Sequence, residues 1–200
     1  MEAHAAERRA FYRDAGILND EQGLAAAAKD LQASVSAGET SFTDALRTLY
    51  GGSEAWAKAS AMQHATLEEV DRLQEENEHA QHRCVGLVVE TRPETITTPK
   101  LALLRRLGCT KVQVGIQSLN EDVLALNNRR TDPRAIQEAF ALLRLFGFKI
   151  HAHFMVNLYG ATPEADKLDY RTFVTDSHYL PDEVKLYPCA LVEGTGLVPH

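Results

Sequence analysis

Residues able to do chemistry recur near the ends of short apolar runs in the second half of this chain. Glu90 closes VGLVVE, Gln117 and Ser118 close KVQVGIQS, His151 and His153 lie inside KIHAHFMV, and Lys185 and Tyr187 lie inside EVKLYP. A carboxylate, an amide, imidazoles, an ammonium and a phenol at the C-terminal ends of parallel strands are the means by which a polar ligand is held. Each also has a plainer use. Glu90 can cap its turn or pair with Arg92, and Gln117-Ser118 can be an ordinary turn. His151 and His153 stand at i, i+2, the spacing of two metal ligands on one strand face, but no third ligand is signalled nearby. A hydrogen-bonded interior pair therefore fits better, and no metal site is assigned. Lys185 facing inward demands an acid or an anionic ligand, which favours a site role. Cys84 and Cys189 read as small core residues. No nucleophile elbow, phosphate-binding loop or dinucleotide fingerprint occurs.

The elements that must position these residues follow from the hydrophobic period. Alternation predicts strands over Cys84 to Glu90, Lys111 to Gln117, Lys149 to Val156 and Glu183 to Pro188. Helical spacing predicts Leu101 to Leu107, stopped by Gly108. A short helix runs from the cap Asn120 to Asn127, and another, opened by Asp132-Pro133, runs to Phe146 before Gly147. A last helix covers Glu164 to Asp176. Strand, helix and strand at this spacing make parallel βαβ units. One parity of each strand is aliphatic (Val85, Leu87, Val89; Val112, Val114, Ile116; Ile150, Ala152, Phe154). The other carries Glu90, Gln117, His153, Lys185 and Tyr187. A face both enclosed and polar suits a barrel interior better than an open sheet covered on both sides. The expected fold class is therefore α/β, a partial parallel (βα) barrel.

Residues 1–66 differ. They are Ala-rich, with helical stretches at Ala3 to Asp14, Gln22 to Ser36 and Phe42 to Tyr50, and four consecutive alanines at 25–28. Thr66 and Glu69 form a capping-box pattern for a helix reaching about Ala80. The expected organisation is a helical segment 1–66 and a barrel segment 67–200. The formal charge of −7 argues against nucleic-acid binding by bulk electrostatics. No signal peptide or membrane-length apolar run is seen, so no membrane partner is expected. Three cysteines, far apart and without a CxxC pair, suit a reduced, cytoplasmic protein.

Four segments carry a resemblance: 85–94 (VGLVVETRPE), 107–123 (LGCTKVQVGIQSLNEDV), 147–166 (GFKIHAHFMVNLYGATPEAD) and 181–197 (PDEVKLYPCALVEGTGL). Together they closely resemble the radical S-adenosylmethionine (SAM) domain of the Elongator catalytic subunit family in its bacterial form. That resemblance implies a barrel holding a [4Fe-4S] cluster and SAM, acting on the wobble uridine of tRNA with acetyl-CoA as co-substrate. It also implies that Glu90, Arg92, Gln117, Ser118 and His153 bind the cofactor, with Lys185 and Tyr187 nearer the reacting group. The family's three closely spaced cluster cysteines and the strand after them have no counterpart here. The expectation is accordingly a truncated piece of such an enzyme, inactive alone and completed by missing domains or a second polypeptide. Two rival expectations are another radical SAM or α/β-barrel enzyme, and a non-catalytic remnant that binds RNA or protein.

Overall fold

A computed structural model describes residues 6–7, 10–11, 13–14, 21–51, 54–129, 131–191 and 197. Half of the helix expected over Ala3 to Asp14 (residues 3–5, 8–9 and 12) lies outside them. The chain divides into two compact units, Met1–Thr66 with Leu191–His200, and Leu67–Ala190. The first contains helices α1 (Glu21–Ser36), α2 (Phe42–Leu46), a π-helical turn (Arg47–Gly51) and α3 (Glu54–Ala61). Ser41 caps α2 by accepting from the Asp44 amide. Among the described residues of this unit, Val35, Ala45 and Ala59 are the buried apolar ones.

The second unit opens with α4 (Leu67–His79) and then alternates strands and helices. The strands are β1 (Leu87–Thr91), β2 (Cys109–Gln117), β3 (Lys149–Val156) and β4 (Glu183–Pro188). Between them lie α5 (Thr98–Arg106), α6 (Glu121–Leu126), α7 (Pro133–Leu145) and α8 (Pro163–Thr175). The sheet is parallel throughout, in the order β1-β2-β3-β4. The helix boundaries follow from local chemistry. Asn120, Asp132 and Thr162 each accept a backbone N–H at the start of α6, α7 and α8, and Pro133 and Pro163 stand in the first turns. Gly147, at φ 72°, ends α7 in the left-handed conformation that lets the chain reverse directly into β3.

The expected strand faces hold where the sheet is covered. Val112, Val114, Ile116, Ile150, Ala152 and Phe154 are fully buried against Leu101, Ile136, Phe140, Leu143 and Phe173 of the helices. Phe140, Phe154, Phe173 and Tyr179 form an aromatic cluster with ring centroids 5.5–6.1 Å apart. All the covering helices in this core pack on that one face. The opposite face is polar, which is the barrel-type layering and not the doubly wound one.

Three expectations are corrected. β1 begins at Leu87, not Cys84, and reaches Thr91. The Asn77 side chain of α4 donates to the Cys84 carbonyl at 2.9 Å and accepts from the Cys84 amide at 2.8 Å, so these groups are satisfied outside the sheet. β2 starts two residues early, at Cys109. Cys84 is exposed and Cys189 half-buried, whereas the buried thiol is Cys109.

Candidate functional site

The polar face of the sheet is built in two layers. In the lower layer, Glu183 of β4 accepts from Lys111 Nζ of β2 at 2.6 Å, and His151 Nδ1 of β3 lies 3.2 Å from its other oxygen. The Lys111 hydrogen bond holds the Glu183 carboxyl below the usual carboxylate range. Burial depresses the His151 imidazole below its ordinary value. Glu183 opposes that shift, while Lys185, His153 and Lys111 reinforce it. This layer is a neutralised floor.

The upper layer holds the residues expected at the site. His153 faces Gln113 through Nε2 at 3.1 Å and Glu90 through Nδ1 at 3.4 Å. Its ring meets that of Tyr187 edge to face at 5.8 Å and that of His151 at 5.5 Å. Lys185 is the register partner of His153 on exposed β4, and no ion pair is seen for it among the described residues. The Glu90 side chain is 61% exposed, so the layer opens outward. His151 and His153 gather no third ligand. Among the described residues no group of three His, Cys, Asp or Glu side chains could hold a metal ion.

At the C-terminal strand ends the alternation breaks. The pairing of β2 with β3 skips between Gly115 and Gln117, and Gln117 takes φ 69°. Its side chain nevertheless turns back over the polar face, for a Cβ on Gly115 would meet Gln117 Nε2 at 3.0 Å and Arg129 at 3.4 Å. Only glycine leaves that space. Ser118 turns the other way. It is buried and donates to Asp169 of α8 at 2.5 Å, so it supports the turn from the helix side. Arg92 pairs with Glu94 at 2.9 Å, and Glu90 with His153 and not with Arg92.

Arg129 is the site residue that sequence reasoning missed. One of its guanidinium nitrogens donates to the Gly115 carbonyl, and its Nε is buried with no hydrogen-bond partner among the described residues. Burial lowers its proton affinity, Arg92 acts in the same direction and Glu94 opposes both. A guanidinium nonetheless stays charged, and a buried donor left unpaired at the margin of the polar sheet face is suited to an anionic group. The sequence signal was faint: a cation shortly after the Asn127-Asn128 pair at which a short helix stops.

The three thiols do not converge. Cys84 precedes β1 and Cys109 opens β2, both at the N-terminal edge of a parallel sheet, while Cys189 follows β4 at the opposite edge. Burial pushes the Cys109 thiol up, which suits a core residue and not a thiolate ligand.

Comparison with known proteins places this geometry. The radical SAM superfamily model matches residues 23–169, beginning inside the helical segment. A tRNA uridine(34) acetyltransferase of Dehalococcoides mccartyi is 41% identical over 130 residues, 65% of this chain and 28% of the relative. Elongator complex protein 3 of Schizosaccharomyces pombe is 33% identical over 138 residues, 69% of this chain and 25% of that one. The solved archaeal Elp3 of Methanocaldococcus infernus, with an N-terminal deletion, superposes with a TM-score of 0.62 at 33% identity. That match covers 66% of this chain and 33% of the solved one. Coproporphyrinogen III oxidase (HemN) of Escherichia coli, a radical SAM enzyme, shares the fold at TM-score 0.51 and 21% identity. The resemblance read from the four segments is upheld, and the chain spans about a quarter of the length of these curated relatives.

Proposed function

The chain belongs to the radical SAM superfamily, and on that premise we propose that it carries part of the barrel of a tRNA-modifying enzyme acting on wobble uridine. What carries the reading is the polar strand-end cluster, lying within the segments that match relatives named for tRNA uridine(34) acetyltransfer and Elongator.

The superfamily implies SAM and a [4Fe-4S] cluster. The cluster does not fit this chain's own residues, because a cluster that leaves one iron for SAM needs three neighbouring thiolates, and Cys189 lies at the opposite ends of the strands from Cys84 and Cys109. SAM fits the donor set better. Glu90 and the Gln117 carbonyl oxygen can accept from an ammonium or from ribose hydroxyls, and Arg129 offers its unpaired donor to a carboxylate. Arg92, Ser118 and His153 complete the cofactor side in this reading. Ser118 and His153 act by holding Gln117 and Glu90. Lys185 and Tyr187 border the reacting group, Lys185 as a cation for developing negative charge and Tyr187 as a phenol beside His153. Acetyl-CoA is the co-substrate, tRNA the partner and the cytoplasm the location. The cluster thiolates and the acetyl-transferring domain come from outside these 200 residues. No described helix is long and apolar enough to cross a membrane.

Calorimetric titration with S-adenosylhomocysteine, which needs no cluster chemistry, tests the pocket. Saturable one-to-one binding is expected, weakened about tenfold by Arg129→Met through loss of a charge-assisted contact. Filter binding of an anticodon stem-loop with and without the wobble uridine tests the substrate class. Affinity for S-adenosylhomocysteine that is absent, or indifferent to Arg129→Met and Glu90→Ala, would refute the assignment.

A further inference from the structure

The sites above depend on how the chain leaves β2 and β3, and both exits are conformationally unfavourable. Gln117 ends β2 at φ 69° and Asn157 follows β3 at φ 62°, the left-handed region that residues with a side chain occupy only when their surroundings hold them there. What holds them is a single helix. Asp169 of α8 accepts from the Ser118 hydroxyl at 2.5 Å and from the Leu119 amide at 3.0 Å, just past Gln117. Asp166, one turn earlier on the same helix face, accepts the Asn157 amide at 2.7 Å. Ser118 also accepts from the Asn120 amide, and Asn120 caps α6, whose far end leads to Arg129.

We propose that Asp166 and Asp169 are positioning residues, clamping the left-handed exits of β3 and β2 so that Gln117 and Arg129 face the polar pocket. The inference deepens the preceding reading and rests on it for the identity of the ligand. Neither carboxylate touches the pocket, since both bond to backbone or hydroxyl groups of the turns. Asp169 is half-buried, and burial raises its carboxyl above the usual range, with the neighbouring Asp166 adding to the effect. The two like charges, three residues apart on one helix, repel, and the strand-exit amides and the Ser118 hydroxyl that they accept from offset that repulsion.

The test combines S-adenosylhomocysteine titration with residue-resolved amide exchange for the wild-type chain, Asp169→Asn, Ser118→Ala, Gln117→Ala and the double variant Gln117→Ala/Asp169→Asn. Asp169→Asn should speed exchange across 117–120 while the middle of β3 keeps its protection. It should also weaken binding about tenfold, as expected for a sub-ångström displacement of a ligand-holding group. In the Gln117→Ala background the same substitution should cost clearly less, because the part that acts through Gln117 is already lost and only the part that acts through Arg129 remains. Ser118→Ala, which removes the hydroxyl's bonds to Asp169 and from the Asn120 amide but leaves Asp169 holding the Leu119 amide, should move both readouts in the same direction, and it carries the test if Asp169→Asn does not fold. Equal losses in both backgrounds would mean that Asp169 supports the fold at large, and would overturn the proposal, as would unchanged exchange at 117–120. A wild-type chain with no affinity for S-adenosylhomocysteine would sink the ligand reading, and exchange at 117–120 would then decide the clamp by itself.

Discussion

Phe173→Ala should be among the most damaging single changes in the Leu67–Ala190 unit, for reasons the geometry makes quantitative. Phe173 is fully buried on α8. Its ring stacks on Phe154 of β3 at 5.5 Å and 28°, and meets Phe140 at 5.9 Å and 81° and Tyr179 at 5.8 Å. Truncating a buried phenylalanine costs about 3–5 kcal/mol. Each lost ring pair contributes within that figure at about 0.5–1.5 kcal/mol. Alanine's better helix propensity returns only about 0.5 kcal/mol, so the cavity wins. Against a total stability of about 5–15 kcal/mol, a loss of about 4 kcal/mol lowers the melting temperature by roughly 12–20 °C. The single tryptophan, Trp56, lies in the other unit, so unfolding should be followed by far-UV circular dichroism and tyrosine emission. Leu168→Ala on the same helix is the control. That side chain is 65% exposed, and its loss should cost under about 0.5 kcal/mol. A Phe173→Ala loss below about 1.5 kcal/mol, or a Leu168→Ala loss of equal size, would refute the placement of α8 against the sheet and with it the clamp.

Acid should weaken the fold through His151. Its folded-state pKa is depressed, first by burial, so its contribution is complete above the unfolded value of about 6.5 and is lost as pH falls below it. The slope is at most about 1.4 kcal/mol per pH unit, and it should flatten in His151→Gln when urea midpoints are compared between pH 7.5 and 5; an unflattened slope would place the proton uptake elsewhere. β1 and β4 each have one strand neighbour among the described residues, with Val85, Val88, Leu186 and Tyr187 exposed beside the open edges. Light scattering should show concentration-dependent association, reduced by Val85→Lys with Leu186→Lys, whereas a strict monomer with both edge strands protected from exchange would contradict this. Anaerobic treatment with iron and sulfide should leave the 200-residue chain without a stoichiometric cluster, and a stable brown protein that cleaves SAM would overturn the reading of its cysteines.

How far the sequence led depended on which interactions were local. β3 and β4 were legible to the residue, because unbroken alternation bounded by Gly147 and by the turn before Glu183 leaves one register. β1 was not. Its N-terminal residues alternate as a strand should, but the Asn77 side chain, seven residues away on another element, takes the Cys84 hydrogen-bonding groups first. At Gln117 the period of two placed the side chain on the correct face for an incomplete reason. The pairing slips at Gly115, and the left-handed backbone at Gln117 returns the side chain to the polar side. Ser118 and Arg129 show the same limit from opposite sides. Ser118 is a cofactor residue only by family resemblance, and its partner, Asp169, is 51 positions further on. Arg129 sits in a loop, where no period marks it, and only its approach to the Gly115 carbonyl reveals it. The pattern of faces therefore gives the floor of the pocket, made by strands that obey alternation. The rim is made by residues that break it, and it takes shape only once α8 is packed against the sheet and its two carboxylates reach the strand exits.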